Sequence, residues 1–158
     1  MLNYMLIEDF FSWFSGLENN GSNFNKICPI LFNVAKILKN REFGKWGEEQ
    51  ACQFLIQNGV EIITRNQLTP YGEIDIIGKD ENQIIFCEVK VRSGKTFGNP
   101  EESIHALKKQ HMINSAEYFF QNCEELTDDW RIDVIAIYGT PQKVELDIQW
   151  FKNAISCC

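Results

Sequence analysis

Residues suited to phosphate chemistry lie close together in the middle of the chain: Asp75, Glu88 and Lys90. Glu88 and Lys90 are two positions apart in the β-branched run 83–91, so both side chains share one face if that run is a strand. Asp75 belongs to a second alternating run, 73–77, and a polar connector separates the two runs. This pattern predicts a β-hairpin that brings all three side chains to one face.

The register of the hairpin decides how the carboxylates meet. A four-residue loop at 79–82 is the expectation, and it would place Asp75 opposite Phe86 and Glu73 opposite Glu88. Asp75 and Glu88 would then be diagonal neighbours, roughly 7–8 Å apart at the backbone. Like charges that face each other destabilise a sheet, so the pattern predicts that a cation binds there.

Carboxylate oxygens without a nearby His or Cys suit Mg²⁺ or Mn²⁺. Lys90 adds a compact positive charge on the same face. A metal that polarises a phosphoryl group, next to a cation that stabilises developing charge, can hydrolyse phosphodiesters. The alternative is an exposed hairpin whose charges are only solvated.

A helix is predicted at 44–57, with Asn58-Gly59 as its C-terminal cap. Glu48 begins its apolar stripe, and an inward carboxylate is costly unless it is paired. Glu48 is therefore a candidate site ligand or a partner for Lys90.

A second helix is predicted from Asn99-Pro100, an N-cap followed by proline at the first helical position, to about Phe120. Lys108 interrupts its apolar stripe. The Lys108 side chain either extends outward to solvent or points to the carboxylates or a substrate phosphate.

The composition of the 158 residues is that of a water-soluble globular protein with one main domain. The sequence contains no apolar run long enough to span a membrane and no basic start typical of a signal peptide, so a cytoplasmic location is expected. The six cysteines show no Cys-x-x-Cys spacing, which argues against zinc and against a disulfide framework; Cys52 and Cys87 are expected in the core. The net charge of −7 argues against a general nucleic-acid binder.

The order of the predicted elements is α-β-β-β-α-β-β. The fold class is therefore α/β (α+β), with one mixed central sheet of about five strands flanked by helices. The predicted strands are 60–65, 73–77, 83–91, 130–138 and 143–150. In the fourth strand, Arg131 and Asp133 share a face and are expected to pair.

The motifs between about 42 and 139 resemble the YraN-type family of bacterial proteins. The residues that carry the resemblance are Gly47-Glu48, Arg65-Asn66, Gly72-Glu73-Ile74-Asp75, Phe86–Arg92, Lys108 and Arg131-Ile132-Asp133-Val134. That family looks like the Holliday-junction-resolvase branch of the restriction-endonuclease-like, PD-(D/E)xK nucleases. The resemblance implies an endonuclease-like domain at 41–158, after a partly helical extension at 1–40.

The resemblance also implies roles for single residues. Glu48, Asp75 and Glu88 would be ligands of Mg²⁺ or Mn²⁺, and Lys90 would be the catalytic lysine. Three basic residues would contact the substrate: Arg65, Arg92 and Lys108. The expected activity is hydrolysis of branched or nicked DNA, and the expected assembly is a homodimer. A nuclease fold without catalysis that binds nucleic acid or a protein partner is the alternative.

Overall fold

The structure is a computed structural model that describes residues 29–92, 106–123, 129–142 and 145–155. The chain divides into two compact units, 1–42 and 43–158. In the first unit, the described residues are helical. The predicted start of the second helix at Asn99-Pro100 lies outside the described residues.

The described residues form two helices and five strands in the predicted order. In chain order they are α1 (Pro29–Gln57), β1 (Glu61–Thr69), β2 (Gly72–Asp80), β3 (Gln83–Arg92), α2 (Ala106–Gln121), β4 (Asp129–Tyr138) and β5 (Asp147–Ile155). Among these elements, neither helix is long and apolar enough to cross a membrane.

The five strands form one mixed sheet in the spatial order β1-β2-β3-β4-β5. β3 and β4 are parallel, and the other neighbouring pairs are antiparallel. A parallel pair needs a crossover connection, and α2 lies in the segment that joins β3 to β4. The predicted α/β class with a mixed five-stranded sheet is confirmed.

Each face of the sheet carries its own apolar core. Met112 and Ala116 of α2 pack with β-strand residues such as Phe86 on one face. On the other face, α1 packs with residues that include Ile85 and Cys87. The α1 residues in this second core are Ala51, Cys52 and Leu55. Phe86 therefore lies on the opposite face of β3 from Ile85 and Cys87, as strand alternation requires, and Cys52 and Cys87, which were expected in the core, are buried free thiols.

Helix α1 begins at Pro29, whereas the sequence predicts a helix at 44–57 that is separate from a partly helical extension at 1–40. No proline interrupts the intervening residues, so one continuous helix forms. Its end agrees with the prediction. Gly59 has φ +87°, its N–H donates to the Ile56 carbonyl, and the Val60 N–H donates to Leu55. These nested bonds are a Schellman cap, which favours glycine in the left-handed conformation.

The predicted four-residue hairpin loop is wrong. Asp80 pairs with Gln83, so the turn contains only Glu81 and Asn82, with Glu81 at φ +56°. Asp80 remains in the strand because its carboxylate accepts from Arg131, a residue 51 positions away in the chain. A long-range ion pair therefore extends the hairpin beyond what local polarity indicates.

The last strand also differs from its predicted bounds, 143–150. β5 covers Asp147–Ile155 because Trp150 and Asn153 both donate to Asp133 of β4. The residues that make these contacts are 17 and 20 positions apart in the chain, so local sequence patterns do not reveal them.

Candidate functional site

Asp75 and Glu88 lie on neighbouring strands, next to the last pair of the β2–β3 ladder. Ile76 pairs with Cys87, and one further step of this register sets Asp75 across from Glu88. Asp75 Oδ2 accepts the backbone N–H of Val89 at 2.7 Å. Since Phe86 packs with α2, the alternation along β3 directs Glu88 to that same face, where Lys108 of α2 contacts it.

Glu73 does not take part in this pair. It pairs with Leu68 of β1 and is exposed, so the predicted opposition of Glu73 and Glu88 is wrong. The shorter turn moves the register by two positions and brings Asp75 into the place that was expected for Glu73.

Both oxygens of Glu88 contact lysine ammonium groups. Lys90 Nζ lies 2.6 Å from Oε1, and Lys108 Nζ of α2 lies 2.9 Å from Oε2. Glu88 is 4% exposed, so these partners supply most of the charge compensation that a buried carboxylate needs. Of the two orientations left open for Lys108, the structure has the one directed at the carboxylates.

The pKa of Asp75 is raised to about 7. Burial is the largest cause, the negative charge of Glu88 is the second, and the charge of Glu48 adds to them; the Val89 N–H and the charge of Lys108 act in the opposite direction. Asp75 therefore lies in a setting where an added positive charge is favourable.

Glu48 is held on the other side of the sheet from α2 by its helix. A Cβ on Gly47 would lie 1.9 Å from Cγ2 of Val91, so glycine permits the close approach of α1 to β3 at this point. The Glu48 carboxylate accepts from Nδ2 of Asn66 at 2.8 Å. Asn66 is at φ +51°, a conformation that asparagine tolerates better than most residues.

Asn66 is a partner that sequence reasoning missed, although it is part of the Arg65-Asn66 motif. Glu48 contributes to the electrostatics of Asp75. Among the described residues, however, no group of three or more His, Cys, Asp or Glu side chains is assembled closely enough to hold a metal ion. The charges of Glu48 and Glu88 thus both act on Asp75, although the three carboxylates do not form a preassembled metal-binding shell.

The two predicted substrate-binding arginines occupy different settings. Arg65 donates to Glu49 at 2.8 Å, and this hydrogen bond is the main cause that raises the pKa of Arg65. Arg92 ends β3 opposite Tyr138 and is half-buried. Lys108, one of the three predicted substrate contacts, touches Glu88 of this pair directly.

A second polar cluster joins β2, β4 and β5. Asp133 is fully buried and accepts from Nε of Arg131 at 3.0 Å, from Nε1 of Trp150 at 2.9 Å and from the Asn153 N–H at 2.8 Å. Arg131 also contacts Asp80. The predicted Arg131–Asp133 pair is confirmed. Because hydrogen bonds from three residues satisfy Asp133, this cluster is structural.

Comparison with known proteins agrees with these motifs. A family model described as "Uncharacterised protein family UPF0102" matches residues 47–137, which include Glu48, Asp75, Glu88 and Lys90. A UPF0102 protein of Caldicellulosiruptor saccharolyticus is 42% identical over 117 residues, 74% of this chain and 99% of the relative. A Francisella tularensis relative is 42% identical over 115 residues (72% and 93%), and one of Vibrio parahaemolyticus is 35% identical over 121 residues (76% and 97%). The resemblance to the YraN-type proteins is confirmed at this level: the chain belongs to the UPF0102 family.

Proposed function

We propose that this protein is a divalent-cation-dependent nuclease of the Holliday-junction-resolvase type, which hydrolyses phosphodiester bonds of branched or nicked DNA in the cytoplasm. The observation that carries the proposal is the placement of Asp75 beside Glu88 with Lys90 and Lys108 in contact. Two carboxylates brought together with two ammonium groups form a site whose parts match the needs of phosphoryl chemistry.

The donor set fits Mg²⁺ or Mn²⁺. Asp75 and Glu88 offer hard oxygen ligands without a soft ligand, and Mg²⁺ commonly uses one or two protein carboxylates and keeps several waters. The pKa of Asp75 is raised because burial and the charge of Glu88 disfavour its carboxylate form. A bound cation would stabilise that carboxylate. Asp75 and Glu88 would hold the ion, and Glu48 would assist directly or through a water. The bound ion would supply Lewis acidity toward a phosphoryl oxygen.

Residues of the chain stabilise the developing charge and orient the metal ligands. Lys90 is held at the carboxylates by its 2.6 Å contact with Glu88, where its ammonium stabilises negative charge that develops on phosphate oxygens. The Val89 N–H fixes the orientation of Asp75. Arg65 and Arg92 would contact the DNA backbone farther from the scissile bond.

The net charge of −7 belongs to the whole chain and does not reflect the charges that contact Glu88. From Val89 to Ser115 the chain has five basic and two acidic residues, and two of the basic residues, Lys90 and Lys108, contact Glu88. A two-fold homodimer would present two such sites to two strands of a branched substrate.

The second candidate is a catalytically silent module that uses the nuclease fold to bind nucleic acid or a protein. It is favoured by the occupation of both Glu88 oxygens by lysines and by the lack of a preassembled ligand group among the described residues. The complete Asp75, Glu88 and Lys90 set favours the nuclease.

The test combines metal binding with DNA cleavage. Mn²⁺ and Mg²⁺ are titrated by calorimetry into wild type, Asp75→Asn and a control, Glu73→Gln, which removes an exposed carboxylate of the same strand. The same proteins, together with Lys90→Met, are incubated with four-way junction, flap, nicked and linear duplex DNA, and their mass in solution is measured by light scattering.

We expect wild type and Glu73→Gln to bind metal and cut a branched or nicked substrate. Asp75→Asn should lose metal binding and cleavage together. Lys90→Met should still bind metal but lose cleavage by about 10²-fold or more, the typical cost of removing one electrostatic stabiliser. Metal binding without cleavage of any substrate would favour the silent module. Absence of metal binding at millimolar concentration in wild type would refute the metal site.

A further inference from the structure

Two lysine ammonium groups contact Glu88, the carboxylate that is proposed to bind a metal ion. Glu88 is expected to donate an oxygen to a cation, yet both of its oxygens already contact ammonium groups. A divalent ion that binds Asp75 and Glu88 would be placed among like charges. One of the two lysine side chains must therefore move away from Glu88, since it would otherwise be strongly repelled by the bound ion.

The two lysines differ in how they are held. Lys90 follows Glu88 by two positions on the same strand face, so the backbone keeps it beside the carboxylate. Lys108 reaches Glu88 from a different element, α2, through a longer contact of 2.9 Å. Its side chain is 40% exposed, against 30% for Lys90. Lys108 therefore has solvent into which it can turn.

We propose that Lys108 is an exchangeable counter-cation of Glu88: it neutralises the carboxylate in the metal-free protein, a divalent ion displaces it, and the released ammonium turns to a phosphate oxygen of the substrate. The inference rests on the proposed function, because it assigns the metal to Asp75 and Glu88. It explains why a lysine interrupts the apolar stripe of α2 at a position where it also reaches the site.

Removal of Lys108 should make metal binding tighter, whereas loss of an ordinary substrate-binding lysine would leave it unchanged. The test compares Mn²⁺ binding to wild type, Lys108→Met and Lys109→Met by calorimetry in the absence of DNA. Lys109 is the matched control, since it removes the same charge from the adjacent position of the same helix. Methionine keeps a long unbranched side chain in both variants.

We expect Lys108→Met to bind Mn²⁺ about five- to tenfold more tightly than wild type, more than an exposed ion pair would yield because Glu88 is buried. Lys109→Met should remain within about twofold of wild type, the range of a screened surface charge.

A second measurement needs no variant. Reductive methylation of wild-type lysines, read by mass spectrometry, should show faster labelling of Lys108 when Mn²⁺ is added, with Lys109 as the internal reference. If circular dichroism shows that Lys108→Met does not fold, the labelling of wild type alone tests whether Mn²⁺ displaces Lys108.

The outcomes separate this inference from the proposed function. Unchanged or weaker Mn²⁺ binding by Lys108→Met, an equal gain in Lys109→Met, or labelling of Lys108 that Mn²⁺ does not alter would overturn the exchange, while metal binding that requires Asp75 would leave the proposed site intact. Absence of Mn²⁺ binding to wild type would overturn both.

Discussion

Asp75 should lower the stability of the metal-free protein as the pH rises. Its pKa is 3.8 as an ordinary side chain and about 7 in the folded protein, with burial as the main cause. Between these values the unfolded chain has lost the proton and the folded chain retains it. Unfolding therefore releases a proton, and the free energy of unfolding falls with increasing pH through this window.

The size of the effect follows from the same shift. A difference of about three pKa units, at 1.36 kcal/mol each, corresponds to about 4 kcal/mol above pH 7, and about 2–3 kcal/mol of this develops between pH 5 and pH 8. Asp75→Asn removes the titration and keeps an oxygen that can accept the Val89 N–H. We expect the variant to gain about 1–4 kcal/mol over wild type at pH 8, the lower values applying if water relaxes the site.

Urea unfolding followed by tryptophan fluorescence, in EDTA at pH 5, 6, 7 and 8, measures this difference. Glu73→Gln is the control for loss of one carboxylate from the same strand. Stability curves of wild type and Asp75→Asn that run parallel from pH 5 to pH 8 would refute the raised pKa. A saturating divalent cation should return stability to wild type but not to Asp75→Asn, because only wild type offers the charged ligand.

Three further predictions concern the framework of the site, each measured by urea unfolding. Gly47→Ala should cost about 1–3 kcal/mol, since its Cβ would overlap Val91, and Val91→Ala in the same protein should recover part of the loss; no recovery would mean that the clash is elsewhere. Asp133→Ala should cost about 3–5 kcal/mol, because it removes the buried carboxylate that pairs with Arg131 and leaves the Trp150 and Asn153 donors without their acceptor, and a cost below 1 kcal/mol would show that water replaces it. Gly59→Ala should cost about 1 kcal/mol from its left-handed conformation, and an unchanged midpoint would argue against the cap.

Strand alternation predicted the faces of β3 correctly but failed at the start of β2, where Ile74 and Ile76 pack in different cores. Ile85 and Cys87 lie on one side of β3 and Phe86 on the other, and the two cores follow that division. The order of elements and the glycine cap at Gly59 were also readable, because each depends on residues close together in the chain.

The pairing of the hairpin was not readable in this way. Lys79 and Asp80 look like loop residues, yet both belong to β2, since Arg131 and Lys152 from two other strands bind Asp80. That extension is the reason Asp75, rather than Glu73, faces Glu88.

The sequence by itself thus predicted the chemical character of the candidate site: the motif residues and the resemblance to the YraN-type family are both visible in it. Only the tertiary structure decided which carboxylates meet and where Lys108 points. The physical reason is that register and ion pairing depend on groups brought together across the sheet. Asp80 with Arg131 and Glu88 with Lys108 are such pairs, and local propensity has no information about either contact.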